Sequence, residues 1–232
     1  MTAIFAFASG DIAFVAGDTM RDYEGSLQLV ATKVHVWSDG VVIAQAGDGK
    51  FLSQLIAKLW MMRPNILALT GKDEVECLIH GFHTLRQEFY DQALKTYTGR
   101  FGALGKVISD GTILVAVAAH GTKSACIHHL DFATGNVTTT SDEVMAGGSN
   151  PAAFKANADA QLTKMRIPGQ PFQVDEWAVQ CLDAAIVAYP QSVGWPVDLV
   201  LARPDGQGGR LVLSRRVPKG CTAFLEEFSL IS

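Results

Sequence analysis

One residue near the start of the chain could supply both a nucleophile and the base that activates it. A threonine hydroxyl such as that of Thr2 is a weak nucleophile at neutral pH and needs an adjacent base to take its proton. If Met1 is removed, the freed α-amine of Thr2 has a reference pKa of about 8, so it can accept that proton directly or through water. The amine is a base only when it is uncharged, and a nearby fixed cation favours that form. Thr2 is therefore a candidate nucleophile for hydrolysis, on the condition that Met1 is trimmed, as it commonly is before a small residue.

The elements that must position Thr2 begin with two predicted β-hairpins. Four apolar, β-prone runs occupy residues 2–8, 12–16, 33–37 and 41–46. The first pair flanks the turn at residues 9–11, and the second pair flanks Ser38-Asp39-Gly40, where glycine suits the positive φ that a hairpin turn requires. Asp18 and Lys33 lie at strand ends. Taken singly, the first is usually only part of a turn and the second a solvated charge.

The hydrophobic period then changes from two to about 3.6 residues. Apolar residues from Phe51 onward predict a helix that stops at Pro64, and residues 73–95 predict a second helix. Residues 96–109 show no clear period and are interpreted as a loop or insertion. The remaining predicted elements are strands at 112–119, 124–131, 136–139 and 144–146, helices at 150–164 and 174–189, and strands at 198–203 and 210–214.

This order of elements predicts an α+β fold of one domain over residues 1–232. Helices that occur in consecutive pairs between groups of strands argue against alternating βαβ winding. Two packed antiparallel sheets, each covered by a helix pair, fit better, which is a four-layer αββα sandwich. We expect an insertion near residues 96–110 and a C-terminal extension after about residue 203.

Several short motifs resemble those of proteasome β-type subunits, which are N-terminal-nucleophile hydrolases. The resemblance follows the element order over about residues 2–203, but its specific motifs lie in residues 2–60 and 146–152. These motifs are Thr2-Ala3-Ile4-Phe5-Ala6, Ala13-Phe14-Val15-Ala16-Gly17-Asp18, Lys33, Val41-Val42-Ile43-Ala44-Gln45-Ala46-Gly47 and Ala146-Gly147-Gly148-Ser149-Asn150-Pro151-Ala152. Among such proteins the sequence looks most like the bacterial proteasome homologues that form ring peptidases.

The resemblance implies a role for each matched residue. Lys33 would be the cation that lowers the pKa of the Thr2 amine, Asp18 would hold Lys33, and the N–H of Gly47 would stabilise the oxyanion. Ser149 would reach the Thr2 amine, although Gly148 fills the place where the family has its serine. The residues implied for the substrate pocket are Thr32, Gln45 and Gly49.

One departure concerns the aspartate that the family usually carries in its fourth helix. Aligning residues 182–187 puts Val187 at that place, and Asp183 lies one turn earlier. The family's usual helper carboxylate is therefore expected to be missing.

The resemblance implies a threonine peptidase that assembles into stacked rings, acts on polypeptides and is served in many relatives by an ATPase unfoldase. Two alternatives remain open on the same fold. The first is a non-catalytic assembly subunit, and the second is an N-terminal-nucleophile amidase acting on a small amide. Three observations distinguish the peptidase from these alternatives: whether Met1 is removed, whether an epoxyketone labels the chain, and whether peptides or a free amide are cleaved.

Composition excludes several other classes of protein. A net charge of −4 gives no electrostatic footprint for nucleic acid, and no apolar run approaches the length of a membrane span, so we expect a cytoplasmic protein. The four cysteines form no CxxC pair, and His80 with His83 is interpreted as a polar helix face rather than a zinc site. No cofactor or metal is expected.

Overall fold

The computed structural model of this chain describes residues 2–23, 26–29, 32–70, 73–141, 143–168, 170–221 and 229–231. Its strands are β1 (Ala3–Ser9), β2 (Ile12–Asp18), β3 (Met20–Tyr23), β4 (Ser26–Leu29), β5 (Val34–Ser38), β6 (Val41–Gly47), β7 (Gly111–Val117), β8 (Cys126–Asp131), β9 (Val137–Thr140), β10 (Val144–Gly148), β11 (Pro171–Gln173), β12 (Val197–Pro204), β13 (Arg210–Val217) and β14 (Ser229–Ile231). Its helices are α1 (Phe51–Thr70), α2 (Glu74–Phe101), α3 (Leu104–Ile108), α4 (Pro151–Met165) and α5 (Val174–Ala188).

Two five-stranded antiparallel sheets dominate the described residues. The first sheet has the strand order β10-β1-β2-β12-β13, and the second has the order β5-β6-β7-β8-β9. The predicted β1–β2 and β5–β6 hairpins are both confirmed, with Phe7 opposite Phe14 in the first and Val34 opposite Ala44 in the second. Two small pairs, β3–β4 and β11–β14, were not predicted from the sequence.

Three buried apolar clusters show which elements pack together. Alternate, mostly small residues of both sheets, such as Ala6 and Ala44, form one cluster, so the two sheets approach each other closely. The intervening residues of the first sheet pack with α4 and α5 around Trp177. The second sheet packs in the same way with α1 and α2 around Phe82.

Helix α2 begins with a side-chain cap. Asp73 precedes it and accepts a hydrogen bond of 2.9 Å from the N–H of Glu76, and Lys123 lies 3.0 Å from its other carboxylate oxygen. Burial, the largest single influence, raises the pKa of Asp73, but the Glu76 hydrogen bond and the Lys123 contact outweigh it. The pKa of Asp73 is therefore below its ordinary 3.8.

Two sequence-based predictions about helices are wrong. Helix α1 does not stop at Pro64 but continues to Thr70, because a proline removes only one backbone hydrogen bond and can be accommodated within a packed helix. Residues 96–109 are not a loop, since α2 extends to Phe101 and α3 follows after a turn at Gly102. Whether residues 96–110 are an insertion stays a prediction. Among the described residues, no helix is long and apolar enough to cross a membrane.

Candidate active site

Thr2 lies at the open end of the first sheet, against the turn that follows β10. Its nitrogen donates to Ser149 Oγ at 3.3 Å, and its carbonyl oxygen accepts from the N–H of Ser149 at 3.2 Å. Gly148 has φ +125°, and a Cβ there would overlap the Thr2 carbonyl oxygen. Only glycine permits this approach. Thr2 is 7% exposed, and Ser149 contacts both its nitrogen and its carbonyl oxygen.

A buried ion pair lies next to Thr2 and connects the two sheets. Asp18, the last residue of β2, accepts a hydrogen bond from the N–H of Ala3 at 2.8 Å. Lys33 Nζ lies 2.8 Å from each oxygen of the same carboxylate. Lys33 directly precedes β5 of the second sheet, and its carbonyl oxygen accepts from the N–H of Gln45 on β6 at 2.9 Å. The structure therefore brings Thr2, Asp18 and Lys33 together at one end of both sheets.

The environment of Asp18 pulls its pKa in two directions. Burial raises the pKa of this carboxyl group above 3.8, and this effect is the largest. The charge and hydrogen bonds of Lys33, with the N–H groups of Ala3 and Gly194, lower it and offset part of the rise. A buried carboxylate with these donors fixes the Lys33 ammonium group in place.

Gly47 ends β6, two residues beyond Gln45, and so lies at the same end of the second sheet as Lys33. It has φ +102° and pairs with Gly111 of β7. A Cβ on Gly47 would overlap the carbonyl oxygen of Asp110, so this position also requires glycine. The backbone of Gly47 is exposed, where a substrate carbonyl can approach it.

The residues expected around the substrate are partly brought together. Gln45 Nε2 donates to Ser53 Oγ at 3.1 Å, and Ser53 Oγ donates to the carbonyl oxygen of Gly49 at 2.8 Å. Gln45 and Gly49 therefore share one polar group with Ser53, a residue that was not predicted. Thr32 is exposed and immediately precedes Lys33.

Neither position considered for the helper carboxylate lies in the buried network around Thr2. Val187 is 75% exposed, and Asp183 also lies on an exposed part of that helix. The segment after α5, residues 189–196, approaches the site instead, through the Gly194 N–H at Asp18 and the Pro196 carbonyl, which accepts from Thr19 Oγ1 at 2.7 Å.

Two further residues near the site were missed. Asn150 caps α4 by accepting from the N–H of Ala153, and its amide donates to the Tyr189 hydroxyl at 3.0 Å. Asn150 directly follows Ser149, so this contact anchors the turn against Thr2. The pair Asn150-Pro151 was a readable helix-start signal, whereas nothing in the sequence indicates its contact with Tyr189.

No metal site is evident among the described residues, where no group of three His, Cys, Asp or Glu side chains lies close enough to hold an ion. His80 and His83, considered above for zinc, are both exposed on α2. Met1, whose removal the chemistry requires, lies outside the described residues.

Comparison with known proteins supports the fold. No family model matches this chain, and no curated protein matches it. A solved structure that does match is the Anbu (Gly-1) mutant from Hyphomicrobium sp. strain MC1, with a TM-score of 0.69 and 12% sequence identity. The match covers 96% of this chain and 89% of that one. The chain has a proteasome-like fold. At this identity the likeness extends to the fold alone.

The assignment of the chain to the proteasome β-type family, nearest to the bacterial ring peptidases, is therefore wrong. No family model supports it, and the structural likeness is too distant in sequence to establish a family. The motifs behind that assignment have a physical explanation. A Cβ at Gly17 would lie 3.0 Å from Val34, and Gly47 and Gly148 face backbone at still closer range. Such glycines are requirements of the backbone geometry, so they mark a fold without marking a family.

Proposed function

We propose that this chain is a threonine-type N-terminal-nucleophile hydrolase that cleaves peptide bonds, with Thr2 as its nucleophile. The observation that carries the proposal is the network around the Thr2 nitrogen, which becomes the α-amine once the Met1–Thr2 bond is cleaved. That nitrogen contacts Ser149, and the next N–H, of Ala3, contacts the carboxylate that holds Lys33. The Thr2 nitrogen, which would act as the base, and Lys33, the cation expected to lower the pKa of that amine, thus belong to one network.

The proposed reaction has two stages. The uncharged Thr2 amine takes the proton of the Thr2 hydroxyl, whose oxygen attacks the substrate carbonyl carbon. The N–H of Gly47 stabilises the resulting oxyanion, and the intermediate collapses to an ester as the amine returns the proton to the departing nitrogen. Water then adds to the ester carbonyl and gives a proton to the Thr2 amine. As the bond from the acyl carbon to the Thr2 oxygen breaks, the amine returns this proton to that oxygen, so the acid is released and the Thr2 hydroxyl is restored. Ser149 orients the amine, and Gln45, Gly49 and Thr32 contact the substrate side chain.

We also propose the layered arrangement of sheets and helices, and the assembly of subunits into rings, that the sequence led us to expect. The three apolar clusters support a four-layer αββα sandwich. The proteasome-like fold supports ring-like self-association, and an ATPase unfoldase would deliver polypeptides to the rings. Large exposed apolar side chains fit burial against other copies of the chain. These side chains are Met61, Leu104, Val107 and Val187. The four free cysteines support a reducing compartment, as in the cytoplasm.

Hydrolysis of fluorogenic peptides by the purified full chain tests the proposal. Intact mass establishes first that Thr2 is the terminal residue. We expect Thr2→Ala to abolish hydrolysis and Thr2→Ser, which keeps a hydroxyl, to retain part of it. The matched control is Thr163→Ala, because Thr163 lies on the exposed face of α4 and its hydroxyl bonds only locally, to the Asp159 carbonyl.

Three results would contradict this function. Hydrolysis that survives Thr2→Ala would exclude Thr2 as the nucleophile. A chain that keeps Met1 and leaves all peptides intact would indicate a non-catalytic assembly subunit. Cleavage of a small free amide, with peptides and unfolded proteins left intact, would indicate an amidase on the same fold.

A further inference from the structure

A tyrosine from the far end of α2 reaches the residue that follows Gly47. The Tyr97 hydroxyl donates to Asp48 Oδ1 at 2.9 Å, across 49 positions of sequence. The Tyr97 ring also packs edge-on against Phe51, with ring centroids 5.8 Å apart. Tyr97 lies in the segment that the sequence analysis interpreted as a loop, so its place in the fold depends on the unpredicted extension of α2.

Asp48 is held by both its side chain and its main chain. Besides Tyr97, its Oδ1 accepts from the N–H of Lys50 at 2.9 Å and of Phe51 at 3.2 Å, at the start of α1. Its own N–H donates to the Asp110 carbonyl at 2.9 Å. Asp48 is only 3% exposed, so these bonds are formed largely out of solvent.

These bonds restrict the Gly47–Asp48 peptide unit, which directly follows the residue that carries the proposed oxyanion donor. Asp110 and Gly111, at the start of β7, confine Gly47 on one side, and the next residue along the chain, the anchored Asp48, confines it on the other. An oxyanion donor acts through its preset direction, because it must meet the transition-state oxygen without reorganising. Rotation of the Gly47–Asp48 peptide would change the backbone torsions of Gly47 and so the direction of its N–H.

We propose that Asp48 and Tyr97 are positioning residues that orient the Gly47 N–H toward the oxyanion. This inference rests on the function proposed above and adds two residues that would act through Gly47. The pair acts on the transition state, in which negative charge develops on the oxygen, and not on the bound substrate. Its loss therefore lowers kcat and leaves KM unchanged.

The test compares Tyr97→Phe with Tyr90→Phe in the full chain. Tyr90 lies two turns earlier on α2, and its ring packs on Phe132 instead. Two probes with the same peptide portion are used, a peptide boronate and a peptide amide. The Thr2 oxygen adds to boron and its proton passes to the Thr2 amine, so the tetrahedral adduct presents an oxygen to Gly47. The amide binds without forming that centre.

We expect Tyr97→Phe to lower kcat and weaken boronate binding by about threefold to thirtyfold, less than deletion of an oxyanion donor would. KM and amide binding should stay within about twofold of the wild type, as should every property of Tyr90→Phe. Asp48→Asn keeps an acceptor oxygen for Lys50, Phe51 and Tyr97, so it should retain more activity than Asp48→Ala.

Two outcomes overturn the positioning role. One is a Tyr97→Phe variant that matches Tyr90→Phe in kcat and boronate affinity. The other is an equal loss of boronate and amide binding, which would indicate general damage to the site. A wild-type chain with a free Thr2 amine that neither cleaves peptides nor binds the boronate is a different failure, because it overturns the proposed function itself.

Discussion

Replacing Lys33 with methionine tests how much the buried ion pair contributes to stability. Lys33 Nζ lies 2.8 Å from both Asp18 oxygens, and the two side chains are 7% and 0% exposed. Methionine fills similar space without the charge, so Asp18 stays buried and loses this partner. Removal of one member of a buried pair costs about 3–5 kcal/mol of unfolding free energy. For a chain of this size that corresponds to a fall in Tm of about 6–20 °C.

The double variant Asp18→Asn/Lys33→Met separates this interaction from other effects of the single changes. Each single variant leaves one buried charge without its counter-ion, whereas the double variant leaves neither. We therefore expect the double variant to lose no more than either single variant, about 3–5 kcal/mol, and not the sum of about 6–10 kcal/mol.

Urea unfolding followed by tryptophan fluorescence, at one protein concentration, measures these differences. The matched control is Lys155→Met. Lys155 and Asp159 form a pair of the same residue types at 3.0 Å on α4, but their side chains are 38% and 47% exposed. Such an exposed pair contributes about 0.3–0.5 kcal/mol. Two results would contradict this contribution of the ion pair. One is a Lys33→Met variant no less stable than Lys155→Met, and the other is a double variant whose loss of stability equals the sum of the two single losses.

Two further predictions concern glycine geometry and pH. Gly148→Ala should be less stable to denaturation than Gly206→Ala and should lose peptide hydrolysis by Thr2. Both positions have positive φ, but only at Gly148 would a Cβ overlap the Thr2 carbonyl oxygen. Denaturation measurements and peptide-hydrolysis assays on the two variants check this prediction. Equal stability and full activity in the two variants would contradict the close approach. Asp73→Ala should lower the free energy of unfolding by about 1 kcal/mol at pH 7. Because the folded-state pKa of Asp73 is below 3.8, the stability difference between wild type and Asp73→Ala should shrink as the pH falls through that folded-state pKa. Asp73→Asn keeps a capping oxygen, so its stability should stay close to that of the wild type at neutral and at acid pH. If the stability loss of Asp73→Ala stays constant or grows as the pH is lowered, the predicted direction of the pH dependence is contradicted.

The sheets and most helices could be predicted because their signals are local. Alternating apolar residues around Gly10 and Gly40 specify both a strand pair and its register, and the structure shows those hairpins. The register of a strand pair also determines which strand ends meet. The pairing of β1 with β2 therefore places Asp18 beside the start of β1, whereas the expectation that Lys33 lies near Thr2 rested on the family resemblance.

The rest depends on contacts between distant parts of the chain. Three contacts near the site join positions far apart in the sequence, and no hydrophobic period or motif indicates them. They are the contacts of Gly194 with Asp18, of Asn150 with Tyr189 and of Tyr97 with Asp48. The glycine motifs misled the family assignment for a related reason. They report where backbones touch, which many sequences with one fold must satisfy.

Treatment of the purified chain with a peptide epoxyketone, followed by intact and peptide mass measurement, tests whether Thr2 is an N-terminal nucleophile. The reagent forms a stable ring only with a hydroxyl and a free α-amine on one residue. We expect a chain that begins at Thr2 and carries one adduct on its N-terminal peptide, and we expect no adduct on the Thr2→Ala variant. An unlabelled chain that begins at Thr2, or an adduct on another residue, would contradict this expectation.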